Sequence, residues 1–206
     1  MPSDPIADKP LYPSSSPWGI PDLPYAPLSA VPNWLVPYRT RLRGSRAEAK
    51  DGAVHFFLYD AIFESVWNCP SKSARYLDKF NVLLAPDFSL NADMPLALQA
   101  YNVYRSRWCA AHWTANGHTA IPTVGWSTPE SYAFCFDGIA QHSVVALTTL
   151  GTRRRKSDFL SGFYAMLVRI QPSRILCYGD PFPEMERFDL RVYPTRYHLI
   201  QAGSDG

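Results

Sequence analysis

Asp60 and Asp87 are the two carboxylates whose sequence surroundings best fit chemistry. Each follows a short apolar run that reads as a strand, Ala53–Tyr59 and Val82–Ala85. Ser89 comes just after the second run, and Trp126 with Ser127 follows a third, Thr119–Val124. The basic stretch Arg153-Arg154-Arg155-Lys156 follows a fourth, Ser143–Leu150, and Tyr178 closes a fifth, Arg174–Tyr178. Mg²⁺ takes oxygen ligands, so Asp60 and Asp87 are the candidate metal and catalytic residues. Arginine offers a planar fork of donors to phosphate oxygens, so Arg153, Arg154 and Arg155, with Ser89, Trp126 and Tyr178, are the candidate ligand contacts. Such a set would support metal-assisted phosphodiester hydrolysis, with Asp87 binding the metal or accepting a proton.

Each candidate also has a plain structural reading. Asp60 directly precedes a helical stretch, Ile62–Asn68, and suits its N-cap, where a carboxylate accepts from orphan amides. Asp87 follows Pro86 and precedes the next helix by several residues, so it is not placed to cap it and is the stronger functional carboxylate. Asp93, ahead of Met94-Pro95, is the expected cap of that helix. The string Gly125-Trp126-Ser127-Thr128-Pro129 sits where a hydrolase nucleophile elbow would, but Pro129 replaces the final glycine. Ser127-x-x-Glu130 reads instead as a capping box. The arginine run also fits a solvated loop before a helix. The five histidines show no metal-ligand spacing, and neither G-x-G-x-x-G nor a Walker loop occurs.

The elements that must position these residues alternate. Strand-like runs end at or near the residues named above, and helical patterns lie between them. The longest helix is expected from about Met94 to Asn116, with a stripe through Met94, Leu98, Tyr101, Tyr104, Trp108 and Ala111 and with Gly117 just past its end. A helix is expected over Pro129–Phe136 and another over Ser157–Ile170, while Leu190 and Val192 alternate with charges as in a half-exposed edge strand. Pro122 marks a strand end or bulge. About five apolar strands separated by helices predict a mostly parallel sheet in an α/β domain, as an open sheet or as an incomplete βα barrel. Parallel strands gather ligand chemistry at their carboxyl ends, where the named residues fall.

The chain has 206 residues, 47% hydrophobic and 18% charged, with a formal charge of +2, which suits one domain and excludes both a disordered chain and a strongly basic nucleic-acid binder. Ten of the nineteen prolines fall within residues 1–37. Residues 1–52 therefore read as a proline-rich arm and basic connector, and 53–206 as the α/β domain. Neither helix nor central strand is expected in the arm; residues 1–16 are expected to be loose and 17–38 to lie extended over the domain, anchored by aromatics. The four cysteines are widely spaced, with no C-x-x-C, so reduced thiols and a cytoplasmic protein are expected. No signal peptide is visible and no apolar run approaches the ~20 residues of a membrane span.

The strings DFSLNADMPLALQAYNVYRSRW (87–108), IPTVGWS (121–127), FCFDGI (134–139) and ILCYGDPF (175–182) occur in one order. Together they resemble a family of phage, plasmid and integrative-element proteins, domain of unknown function 4417, over roughly Val54 to Met185. The matching positions are Asp60, Asp87, Ser89, Asp93, Pro95, Arg105, Trp126, Ser127, Asp137, Tyr178 and Gly179. The resemblance implies a mobile-element protein acting inside a bacterial cell and brings no mechanism with it. Two functions follow as expectations: a phosphate-bearing ligand, or nucleic acid, bound at the carboxyl rim; or a non-enzymatic module that docks a host protein through Trp18, Tyr25 and Trp34.

Overall fold

The computed structural model describes residues 9–40 and 49–195. Within them seven strands run parallel: β1 (Trp34–Pro37), β2 (Gly52–His55), β3 (Val82–Leu84), β4 (Thr119–Ile121), β5 (Val144–Thr148), β6 (Arg174–Tyr178) and β7 (Leu190–Tyr193). Five α-helices lie between strands: α1 (Asp60–Phe63), α2 (Ser65–Asn68), α3 (Pro70–Leu77), α4 (Leu96–Ala115) and α5 (Lys156–Ile170). The α/β class and the parallel pairing match expectation.

Strand order follows chain order. β1 to β4 form one sheet and β5 to β7 a second. A single parallel bridge, Thr123 to Ala146, joins them. Pro122 breaks the ladder there because it has no amide to donate, yet its carbonyl accepts from Ala146 N at 2.9 Å and Val124 N donates to Ala146 O at 2.8 Å. The strand therefore resumes beyond the proline.

The resulting surface curls. Leu84, Ile121, Val144, Ala146, Leu176, Tyr178 and Tyr193 form one buried cluster on its concave side. Phe57, just past β2, stacks on Tyr178 of β6 at 5.3 Å between centroids, although three strands separate them in the order. Tyr193 Oη of β7 donates to Pro32 O beside β1 at 2.6 Å. The edges approach without pairing among the described residues, so the barrel is unclosed. Of the two architectures left open by the sequence, the incomplete barrel is the closer.

The arm is built into the fold. β1 belongs to it and pairs with β2 along the whole of its length. Proline is tolerated because β1 is an edge strand with Pro37 at its end. Ile20, Leu23, Ala26 and Ala30 are buried, and Val144 N at the start of β5 donates to Ala26 O at 2.8 Å. Gly138 lies at φ +73, and a Cβ there would sit 2.2 Å from Pro21 O, so the arm crosses this turn only because it is glycine. The expectation of a loose 1–16 fails over its described part: Trp108 Nε1 donates to Pro10 O at 2.8 Å, and Ser16 Oγ donates to Asp137 at 2.7 Å. The connector's Arg41, Arg43 and Arg46 lie outside the described residues.

Three helical segments depart from expectation. α3 was not anticipated, although its Leu77 is buried on one face together with Ser73. Pro129–Phe136 shortens to a 3₁₀ turn, Pro129–Ala133. In α4 the expected stripe is only half correct: Trp108 and Ala111 are buried, but Leu98 is 53% exposed while Gln99, Asn102, Arg105, Ser106 and Arg107 are buried. The helix spends this polar face on backbone groups of the strand-end loops.

Candidate functional site

A cavity of about 850 Å³ opens at the carboxyl ends of β3, β4 and β5. Asp87, Ser89, Trp126, Ser127 and Arg155 all line it. That size falls in the range of small-molecule sites.

The loop after β3 forms one wall, and α4 fixes its shape. Asn102 Nδ2 donates to Ser89 O at 2.8 Å, and Gln99 Nε2 donates to Asn91 O at 3.1 Å and to Met94 O at 2.8 Å. Arg105 lies 3.8 Å from the Phe88 ring centroid and pairs with Glu64 between α1 and α2. The residues missed from sequence are therefore Gln99 and Asn102. Their signal was polar side chains three apart, Gln99 and Asn102, continued at Arg105.

Asp60 reaches the same loop. Its two carboxylate oxygens accept from Ser89 N at 3.1 Å and Ser89 Oγ at 2.9 Å. It occupies the first position of α1, and no side chain caps that helix. The capping alternative for Asp60 is thereby corrected: the carboxylate binds a neighbouring loop.

Asp87 is half-buried, and its carboxylate takes no hydrogen bond from any described residue. Loss of solvation raises its pKa to about 7, the nearby Asp60 charge adds to the rise, and Arg107 partly offsets it. Arg107 is fully buried without an ion pair among the described residues. It donates instead to the carbonyls of Asp137 (3.1 Å), Thr123 (2.9 Å) and Cys135 (3.2 Å). These bonds hold the base of the β4 loop, and burial lowers the Arg107 pKa to about 10.

Trp126 lies against Phe159, with centroids 5.2 Å apart, and over Gly162 of α5. Ser127 Oγ bonds Gln99 Oε1, while Ser131 Oγ receives Ser127 N at 3.1 Å. The expected capping box is not formed; Thr128 is the N-cap and no side chain caps the turn. Asp93 likewise does not cap α4, whose N-cap is Pro95, with no side-chain cap bond.

The basic run divides. All three arginines form an exposed 3₁₀ turn. Arg155 faces the cavity and sits 3.6 Å from Asp158. Arg153 turns away to Asp180 O at 2.7 Å and over the Phe182 ring, and Lys156 pairs with Glu184 at 2.7 Å. Arg154 is exposed and does not line the cavity. Tyr178 is buried in the concave core against His55 and Phe57, away from the cavity. Of the charged side chains lining the cavity, Asp87, Asp93 and Asp158 outnumber Arg155. Among the described residues no group of three or more His, Cys, Asp or Glu side chains gathers as a metal cage.

In the arm, Trp34 rests on Gly52 and edge-on against Phe80, while Trp18 and Tyr25 are each 52% exposed. Among the described residues no helix is long and apolar enough to cross a membrane.

A family model described as a domain of unknown function, DUF4417, matches residues 12–194. The chain belongs to the DUF4417 family. The match is wider than the Val54–Met185 span anticipated and takes in most of the arm, consistent with β1 being part of the sheet. This DUF4417 protein is 40% identical over 189 residues to the Gene 1 protein of Mycobacterium phage L5, covering 89% of this chain and 82% of that protein. It is also 40% identical over 189 residues to the Gene 1 protein of Mycobacterium phage D29, covering 89% of this chain and 69% of that protein. No solved structure matches it significantly.

Proposed function

We propose that this DUF4417 protein binds a small phosphate-bearing ligand in the rim cavity and exchanges a proton with it through Asp87. The observation that carries the reading is Asp87 itself: a carboxyl group without a hydrogen-bond partner among the described residues, facing a ligand-sized cavity, with a pKa near 7. A group that titrates near neutrality both accepts and releases a proton at working pH. Arg155, 3.6 Å from Asp158, is the cation that lines the cavity among the described residues and would meet a phosphate. A hydroxyl or amine on the same ligand suits the acidic wall made by Asp87 and Asp93. A cavity of this size favours a small molecule over a duplex, and Arg153 and Lys156, already engaged elsewhere, do not form a phosphate track.

The test is calorimetric titration with ribose 5-phosphate, which carries both a phosphate and hydroxyls. Arg155→Gln should weaken binding about tenfold and steepen nothing in its pH profile. Asp87→Asn should remove the pH dependence near 7. Ribose 5-phosphate binding in which no component responds to either substitution defeats the reading.

A further inference from the structure

A second cavity of about 850 Å³ lies between α3 and the C-terminal half of α4, against Pro10 of the arm. It stands at the opposite end of the sheet from the rim: Asp78 precedes β3, and His118 precedes β4. Its charge is also opposite. Lys9, Lys72, His112 and His118 line it, and Asp78 is the one acidic residue that does. Asp78 faces His118 Nε2 at 3.4 Å, and His118 Nδ1 is fixed on Phe80 O at 3.0 Å.

Lys9 and His112 are positioned by aromatic neighbours. The Lys9 ammonium sits 4.4 Å from the Trp67 ring centroid and 5.4 Å from that of Trp108, both attractive geometries for a cation over an aromatic face. Lys72 is exposed on the first turn of α3 and makes no hydrogen bond or ion pair with any described residue. Asn68 and Ser71 add uncharged donors beside it. His112 stacks on Trp108 at 4.9 Å, with Nδ1 at 2.9 Å from Tyr12 Oη. When the tyrosine donates to Nδ1, the imidazole keeps its other nitrogen protonated as a donor.

We propose that this cavity is a binding site for the phosphate group of a small anionic ligand, gripped by Lys9 and Lys72 with His112 as a neutral donor. Ammonium groups act on phosphate as point charges, and here two of them line one cavity that has a single carboxylate in its lining. The site is separate from the rim cavity and shares no lining residue with it.

The experiment uses the full chain and two probes, inorganic phosphate and ribose 5-phosphate, so that a free anion and an ester are told apart. His112 is followed by its imidazole proton resonances. Burial, then the Lys9 charge, hold its pKa below the ordinary histidine value, and a bound anion should raise it. Saturable binding of either probe is expected to shift this resonance, to weaken at least about tenfold in Lys9→Gln/Lys72→Gln, and to survive Arg155→Gln. Lys72 is exposed and Lys9 half-buried, so the melting of the double variant is measured alongside, and unchanged melting separates lost binding from lost folding. A linear, unsaturated response, equal affinity in the double variant, or loss on Arg155→Gln would overturn the proposal.

Discussion

Asp60 binds Ser89 twice, through Ser89 N at 3.1 Å and Ser89 Oγ at 2.9 Å, and so ties the chain after β2 to the chain after β3. The pair sets the wall on which Asp87 stands and brings a second negative charge near it. Asp60→Asn keeps the shape but presents a weaker, uncharged acceptor. Hydrogen bonds to charged groups contribute about 1.5–3 kcal/mol, so urea unfolding should show a loss of roughly 1–2 kcal/mol. The same substitution removes one cause of the Asp87 shift, and the Asp87 titration followed by carboxyl NMR should move down. An unmoved midpoint would show that the two carboxylates do not sense each other.

Asp87 makes stability depend on pH with an unusual sign for a carboxylate. Its folded-state pKa is about 7 against an ordinary 3.8, so between these values the folded chain holds a proton that the unfolded chain has released. The contribution is fully present below the unfolded value and is lost as pH rises through about 7. Asp87→Asn, which cannot ionise, should therefore be more stable than the parent at pH 8, by on the order of 2–4 kcal/mol, and the advantage should vanish near pH 4. Denaturant midpoints across that range provide the check; an advantage that grows toward low pH would contradict the assignment.

How far the sequence could be read divides along physical lines. β6 lies at Arg174–Tyr178, as its apolar run implies, and the rim position of Asp87, Trp126 and Arg155 follows from parallel strands alone. β1 was illegible because proline density counts against strands in general, whereas an edge strand tolerates it. The polar contacts were illegible for another reason. Ser127 has the right spacing for a cap, but its hydroxyl donates instead to Gln99 of α4, a residue of another element. Arg153 and Arg155 are neighbours but one in sequence, yet they point to Asp180 and to the cavity, a divergence set by the tightness of a 3₁₀ turn.

Arg107 should be among the least replaceable side chains. Its guanidinium satisfies three backbone carbonyls from two separate segments, Thr123 after β4 and Cys135 with Asp137 before the Gly138 turn. Arg107→Leu leaves these acceptors buried and unpaired, at about 1–3 kcal/mol each before relaxation. A loss of about 3–5 kcal/mol in chemical denaturation is expected, with Arg107→Lys intermediate because one ammonium cannot span the three positions. A loss below about 1 kcal/mol would mean that water replaces the guanidinium.

Gly162 links the outer helix to the cavity. A Cβ at this position would lie 2.2 Å from the Trp126 indole, so the bare backbone of α5 is what lets the ring lie flat between the helix and the β4 loop. Alanine is otherwise the better helix former, worth about 1 kcal/mol over glycine in a helix interior. Overpacking costs about 1–3 kcal/mol, and the contact is with a rigid ring that is also braced by Phe159, so the clash should win. Gly162→Ala is expected to lower stability by roughly 1 kcal/mol and to displace Trp126 toward the cavity, weakening ribose 5-phosphate binding there. Gly162→Ala combined with Trp126→Leu should recover stability, because a flexible side chain yields the space. A stabilised single variant with unchanged binding would show that α5 shifts outward and that Trp126 does not set the shape of the site.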